Sequence, residues 1–218
     1  NCVTCHTNMP YLMARPALGD VLPDSGEVRS FFEDYYLTRW EKGNKQPKGY
    51  TPVVIGTALA FNDAQTTGSL SEVARKTLDL MWTTQGENGA WNWAKCGWAP
   101  MEIDDHYGVT LAVLAAGIAP GGYARTQSAK AGLEKARKYL KAHPAPSLHH
   151  RIMIAWASLR IGGLMEKKDR EKVLDTMLSM QLANGGWSTP SFLVDWKTYA
   201  RIDGKPHDVN STDAYGTG

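Results

Sequence analysis

Apolar positions along this chain follow two patterns. Ala74, Leu78, Met81 and Trp82 recur at helical spacing among polar residues, which predicts an amphipathic helix over about 70–85 opened by the capping-box pattern Ser69-x-x-Glu72. Leu133, Ala136 and Leu140 stripe a second helix behind Ser128, closed by His143 and Pro144; Val173, Leu174, Met177 and Met180 stripe a third over about 169–181. Phe31, Phe32, Tyr35 and Tyr36 give another over about 27–40. Between these lie segments apolar on every side. One covers about 53–61 behind Thr51-Pro52, with threonine as cap and proline at the first helical position. Another runs over 105–119 to Pro120-Gly121-Gly122, and a third over 148–161 to Gly162-Gly163. A helix apolar all round is buried all round, whereas a striped one covers it from outside. The expectation is an all-α fold in which inner and outer helices alternate.

Two outer helices end on the same words. Gln85-Gly86-Glu87-Asn88-Gly89-Ala90-Trp91 and Gln181-Leu182-Ala183-Asn184-Gly185-Gly186-Trp187 both read Q-x-x-x-G-x-W. Each is followed by a matching inner-helix opening, Asp105-His106-Tyr107-Gly108 and then Asp213-Ala214-Tyr215-Gly216. This is an internal repeat. The glutamines lie 96 residues apart and the openings 108, so about twelve residues are inserted in the second copy, placed here within 195–210.

Over roughly 50–218 the chain resembles the squalene-hopene cyclases and related terpene cyclases, whose Q-x-x-x-G-x-W repeats build α/α toroids with an inner ring of helices inside an outer one. The resemblance implies that Gln85 and Gln181 tie outer-helix ends to neighbouring backbone, with Trp91 and Trp187 stacked beside them. A primary amide suits that task, because it can satisfy orphan carbonyls and amides together. The openings near Thr51, Asp105, Leu148 and Asp213 are four where a closed toroid of the family has about six, so a partial toroid with an open apolar edge is expected, incomplete at its C-terminus. Cyclases of the class that protonates its substrate use D-x-D-D, the third residue being the acid. The matching stretch is Glu102-Ile103-Asp104-Asp105, with Glu in first place, which makes Asp104 the candidate catalytic acid. The second copy keeps Asp213 opposite Asp105 but has Thr212 opposite Asp104. Asp105 is therefore read as an N-cap, and Asp104 is not expected to catalyse cyclisation.

Composition narrows the remaining choices. The chain has 218 residues, 43% of them apolar, and its longest apolar stretch, 109–119, falls short of the roughly 20 residues that cross a bilayer. With 24 basic and 22 acidic residues and no basic block, nucleic acid is not expected as a partner.

The N-terminus carries Cys2-Val3-Thr4-Cys5-His6, a C-x-x-C-H pentad. Thiols at that spacing can both add to the vinyl groups of one porphyrin while the adjacent imidazole reaches the iron, so one covalent haem c is expected on Cys2 and Cys5, with His6 as metal ligand. A redox dithiol would open a helix after a strand, and a zinc site would need a second ligand pair. Neither context is present. The third cysteine, Cys96, is left unpaired and read as a small buried hydrophobe. Because haem c is attached outside the cytoplasmic membrane, a periplasmic or otherwise exported location is expected. Residues 1–25 are read as a short haem-carrying arm broken by Pro10 and Pro16, and 26–218 as the toroid segment. Arg15 is a candidate partner for a haem propionate. Met9 is too near His6 to reach the opposite haem face and Met13 is marginal in reach, leaving Met81, Met101, His106, His149, His150 and Met153 open as second axial ligand. The expected function is electron transfer or haem-based binding with a redox protein partner or within a larger assembly. The alternatives are an enzyme acting on an isoprenoid or other apolar ligand through Asp104, and a structural subunit docking partners through its helical surface.

Overall fold

The computed structural model describes residues 7–21, 25–43, 49–93, 104–193 and 204–217. Cys2, Cys5, His6, Cys96, Met101 and Glu102 lie outside the described residues, as do residues 195–203 of the expected insertion. The protein is all-α, and among the described residues there is no strand. No described helix is long and apolar enough to cross a membrane.

The inner layer is built from α3 (Thr51–Thr66), α5 (Asp105–Ile118) and α7 (Leu148–Ser158), with α5 packed between the other two. The outer layer is α4 (Glu72–Thr83) on α3, α6 (Gln127–Ala142) on α5 and α8 (Lys167–Ser179) on α7, with α4 also touching α6. This is the alternation expected of a partial α/α toroid. Its cause is visible in the burial pattern. Every residue from 52 to 63 of α3 and from 106 to 116 of α5 is buried, while α4 and α6 bury one stripe each. Fully buried Leu59, Leu111 and Leu114 each contribute roughly 1.5–3 kcal/mol relative to exposure, so these two helices carry most of the apolar stabilisation.

Three helix starts differ from expectation by one or two residues. Ser71 caps α4 instead of Ser69, accepting the Ala74 amide at 3.3 Å; Thr126 caps α6 instead of Ser128; Tyr50 precedes α3, and Thr51 is its first helical residue. The aromatic run behaves as one element that changes pitch. Helix α2 (Gly26–Tyr35) continues into a π-helical turn, Tyr36–Glu41, burying Phe32 and Tyr36.

The segment behind the C-x-x-C-H pentad differs more. Residues expected to form a proline-broken arm make α1 (Asn8–Ala14), packed on α3 with Met9 and Leu12 buried in the main core. Pro10 is the third residue of α1, where no intrahelical donor is needed, so it starts the helix instead of breaking it. Asn62 and Gln65 of α3 donate to the carbonyls of Leu12 and Met13, at 3.4 and 2.6 Å, satisfying the end of α1. The sequence reading missed a second anchor. Asp63, 1% exposed at the end of α3, pairs with Arg29 of α2 at 2.8 Å and accepts the Ser71 amide at 2.7 Å, joining three helices at one carboxylate.

Candidate functional site at the mouths of the inner helices

The repeat sets the geometry around this site. Gln85 Nε2 donates to the carbonyl of Gly89 at 2.9 Å, and Gln181 Nε2 to that of Gly185 at 2.7 Å. The indoles of Trp91 and Trp187 donate back to the carbonyls of Met81 and Met177, at 3.0 and 2.8 Å. Asn88 and Asn184 accept the amides of Ala90 and Gly186, at 3.1 and 3.2 Å. Gly89 and Gly185 both hold a left-handed backbone, with φ of 90° and 85°, which a β-carbon would strain. The two motifs are thus equivalent turns, in which the glutamine closes the loop and the tryptophan ties it to the helix it leaves.

From each turn the chain passes to the next inner helix through an aspartate. Asp105 accepts the backbone amide of Trp93 at 3.0 Å, and Asp213 that of Thr189 at 2.6 Å; Trp93 and Thr189 stand two residues beyond the repeat tryptophans. A methyl group on Gly108 would overlap the Trp93 ring, and one on Gly216 would meet the Thr189 amide, so the glycine of both openings lets this segment cross the helix closely. The capping duty differs between copies. Asp213 also accepts the Gly216 amide at 2.6 Å and caps α9 (Ala214–Thr217) itself. In the first copy the cap of α5 is Asp104, which accepts the Tyr107 amide at 3.0 Å, and not Asp105 as expected. Asp105 is the crossing clamp, and one more aspartate before it takes the helix end.

Asp104 has a second partner that spacing could not supply. His150, fully buried in the first turn of α7, places Nε2 at 3.2 and 3.1 Å from the two oxygens of Asp104. Its other ring nitrogen lies 2.8 Å from the hydroxyl of Ser147, the cap of α7. Burial pushes the Asp104 carboxyl up, but the hydrogen bond and charge of His150, with the Tyr107 amide, outweigh it and hold the group below the ordinary carboxylate range. His106 lies edge-on to His150 with ring centres 5.1 Å apart, and His149 stacks on Tyr107. Both ring nitrogens of His106 and Nδ1 of His149 are buried without a hydrogen-bond partner. Burial and the neighbouring His150 depress these imidazoles to about 4 for His106 and about 3 for His149. Around neutral pH the site therefore combines one carboxylate with two uncharged, lone-pair-bearing rings.

Of the other sequence-predicted residues, Arg15 is buried just after α1 and donates to the carbonyl of Gly19. Met81 is buried in α4 and Met153 in α7. Among the described residues no three His, Cys, Asp or Glu side chains are placed to hold a metal ion. An open cleft of about 500 Å³ beside α8 is lined by charges of both signs, including Arg151, Glu166, Asp169 and Lys172, and does not include Asp104, His106 or His150. The chain matches no family model, no curated protein and no solved structure.

Proposed function

We propose that this chain is a covalent haem c protein on an α/α toroid scaffold, working in electron transfer or haem-based binding within a larger, exported assembly. The observation that carries the reading is the position of Cys2-x-x-Cys5-His6. Two thiols and an imidazole directly precede α1, a helix locked into the main core by Met9 and Leu12. A group attached there would stand with one residue between it and a helix that belongs to the main core. The donor set fits haem c: Cys2 and Cys5 would form the thioethers and His6 would hold the iron, whose redox change is the chemistry supplied. Arg15 is a buried cation on the same segment and suits a propionate. Among the candidate second ligands, His150 has both ring nitrogens engaged, while His106 and His149 retain free ones. Acidified-acetone extraction of the purified protein tests the reading. Colour should stay on the polypeptide and be lost in a Cys2→Ala/Cys5→Ala variant; colour passing wholly into the solvent, or a colourless protein, defeats it.

A second reading has one observation in its favour. The His150–Asp104 contact at the mouth of α5 sets a carboxyl group beside an imidazole that could pass it a proton, and an enzyme protonating an isoprenoid would need such a pair. Against it, Asp104 is occupied as a helix cap and its carboxyl is held ionised near neutral pH. Incubation with squalene and shorter polyprenyl substrates should give no cyclic product. Products that vanish in Asp104→Asn would promote this reading over the first.

A further inference from the structure

The two copies of the repeat agree beyond Q-x-x-x-G-x-W. Leu78-Asp79-x-Met81 and Leu174-Asp175-x-Met177 precede the two glutamines at the same spacing. In the first copy, three side chains of this face receive α6 and the turn before it. Asp79 accepts from the hydroxyls of Tyr123 at 2.8 Å and Ser128 at 3.1 Å. Trp82 donates to the Tyr123 oxygen at 3.1 Å, and its ring lies so close to Gly132 that a methyl group there would overlap it. Gln85 donates to the Gly132 carbonyl at 3.1 Å. The corresponding side chains of the second copy are Asp175, Leu178 and Gln181. Asp175 is exposed, with no hydrogen bond or ion pair among the described residues. Leu178 is 54% exposed where Trp82 is 9% exposed, and Leu174 extends the apolar strip one turn earlier. Gln181 donates within its own loop and to nothing beyond it among the described residues.

We propose that this face of α8 is a docking site for a further amphipathic helix with the chemistry of α6. That helix would bring hydroxyl groups in its first turn to Asp175, a glycine to the crossing over Leu178, and the glycine's carbonyl to Gln181. The occupant is defined by the internal symmetry, because an acid and an amide at the same spacing, with a large apolar side chain between them, already hold such a helix on α4. A folded second copy does not supply it from α6, whose Gly132 face already lies on Trp82. The one charge between Leu174 and Gln181 is that of Asp175, which disfavours the phosphate groups of membranes or nucleic acids on this strip. The inference does not depend on the haem reading.

The test uses the whole chain and a fluorescent peptide of residues 120–143, which carries the native turn and α6. Titration should give a saturable rise in anisotropy. Leu178→Asp, a change at an exposed position checked by circular dichroism, should weaken binding by about tenfold or more. Leu178→Trp, which completes the first-copy pattern, should tighten it, and Glu171→Gln on the same helix should leave it unchanged. A peptide with Gly132→Phe should not bind. Absence of binding at millimolar peptide, or binding indifferent to Leu178→Asp, overturns the proposal. So does self-association in sedimentation that Leu178→Asp abolishes, which would assign the face to a second copy.

Discussion

At the mouth of α5 single residues divide duties that look interchangeable in the sequence. Asp104 and Asp105 are adjacent carboxylates, yet one caps a helix and meets His150 while the other clamps the Trp93 amide. The neighbouring imidazoles make a pH prediction at this scale. His106 and His149 have folded pKa values of about 4 and about 3, below the roughly 6.5 of an unfolded histidine, so the unfolded chain binds protons first as pH falls. Stability should decline below about pH 6.5, continuing toward the folded values. Asp104 adds to this at lower pH: its depressed carboxyl stabilises the fold above the unfolded value near 3.9, and that contribution is lost as pH falls through the folded one. Urea unfolding between pH 7 and 4 should show the decline. It should be shallower in His106→Phe, which removes a titrating ring whose nitrogens bond to nothing and should cost no more than about 1 kcal/mol at pH 7.

Among the elements, the two repeat turns share one geometry but not one load. Gln85 bridges its own loop and the Gly132 carbonyl of α6, so it connects two outer helices; Gln181 closes only its own loop. Gln85→Ala should therefore cost about 1–2 kcal/mol and Gln181→Ala less than about 1 kcal/mol, read from urea midpoints at constant m-value. Equal losses would mean that the contact to α6 contributes nothing. The repeat was legible as a motif because both copies print the same letters. The clamp from Asp105 and Asp213 was legible only as a pair of helix openings, since its partners Trp93 and Thr189 share no residue type and donate through backbone.

For the molecule as a whole, the apolar interior is uneven. The main core takes residues from every helix from α1 to α7, while Leu148, Ala155, Val173 and Phe192 form a smaller cluster under α8. Val173 is the one residue buried in α8, and Leu174 and Leu178 face outward from it. Local opening follows buried contact, so amide hydrogen exchange should be slowest in α3 and α5 and markedly faster in α8. Uniform protection across the outer helices would contradict this distribution. Addition of the docking peptide should slow exchange in α8 specifically.

Period and composition by themselves determined that the chain is helical, which helices lie inside, and where the repeat turns stand, because these follow from local spacing and from the cost of leaving an apolar face in water. Pro10 misled that reading, since whether a proline breaks or begins a helix depends on its position from the start, which the residues of 1–25 did not mark. Tertiary structure alone decided that α1 belongs to the main core, that Arg29 holds Asp63, and that His150 of α7 meets Asp104 of α5. Each of these joins residues 30 or more positions apart through side chains that carry no periodic signal, and such pairings are fixed only when the helices pack.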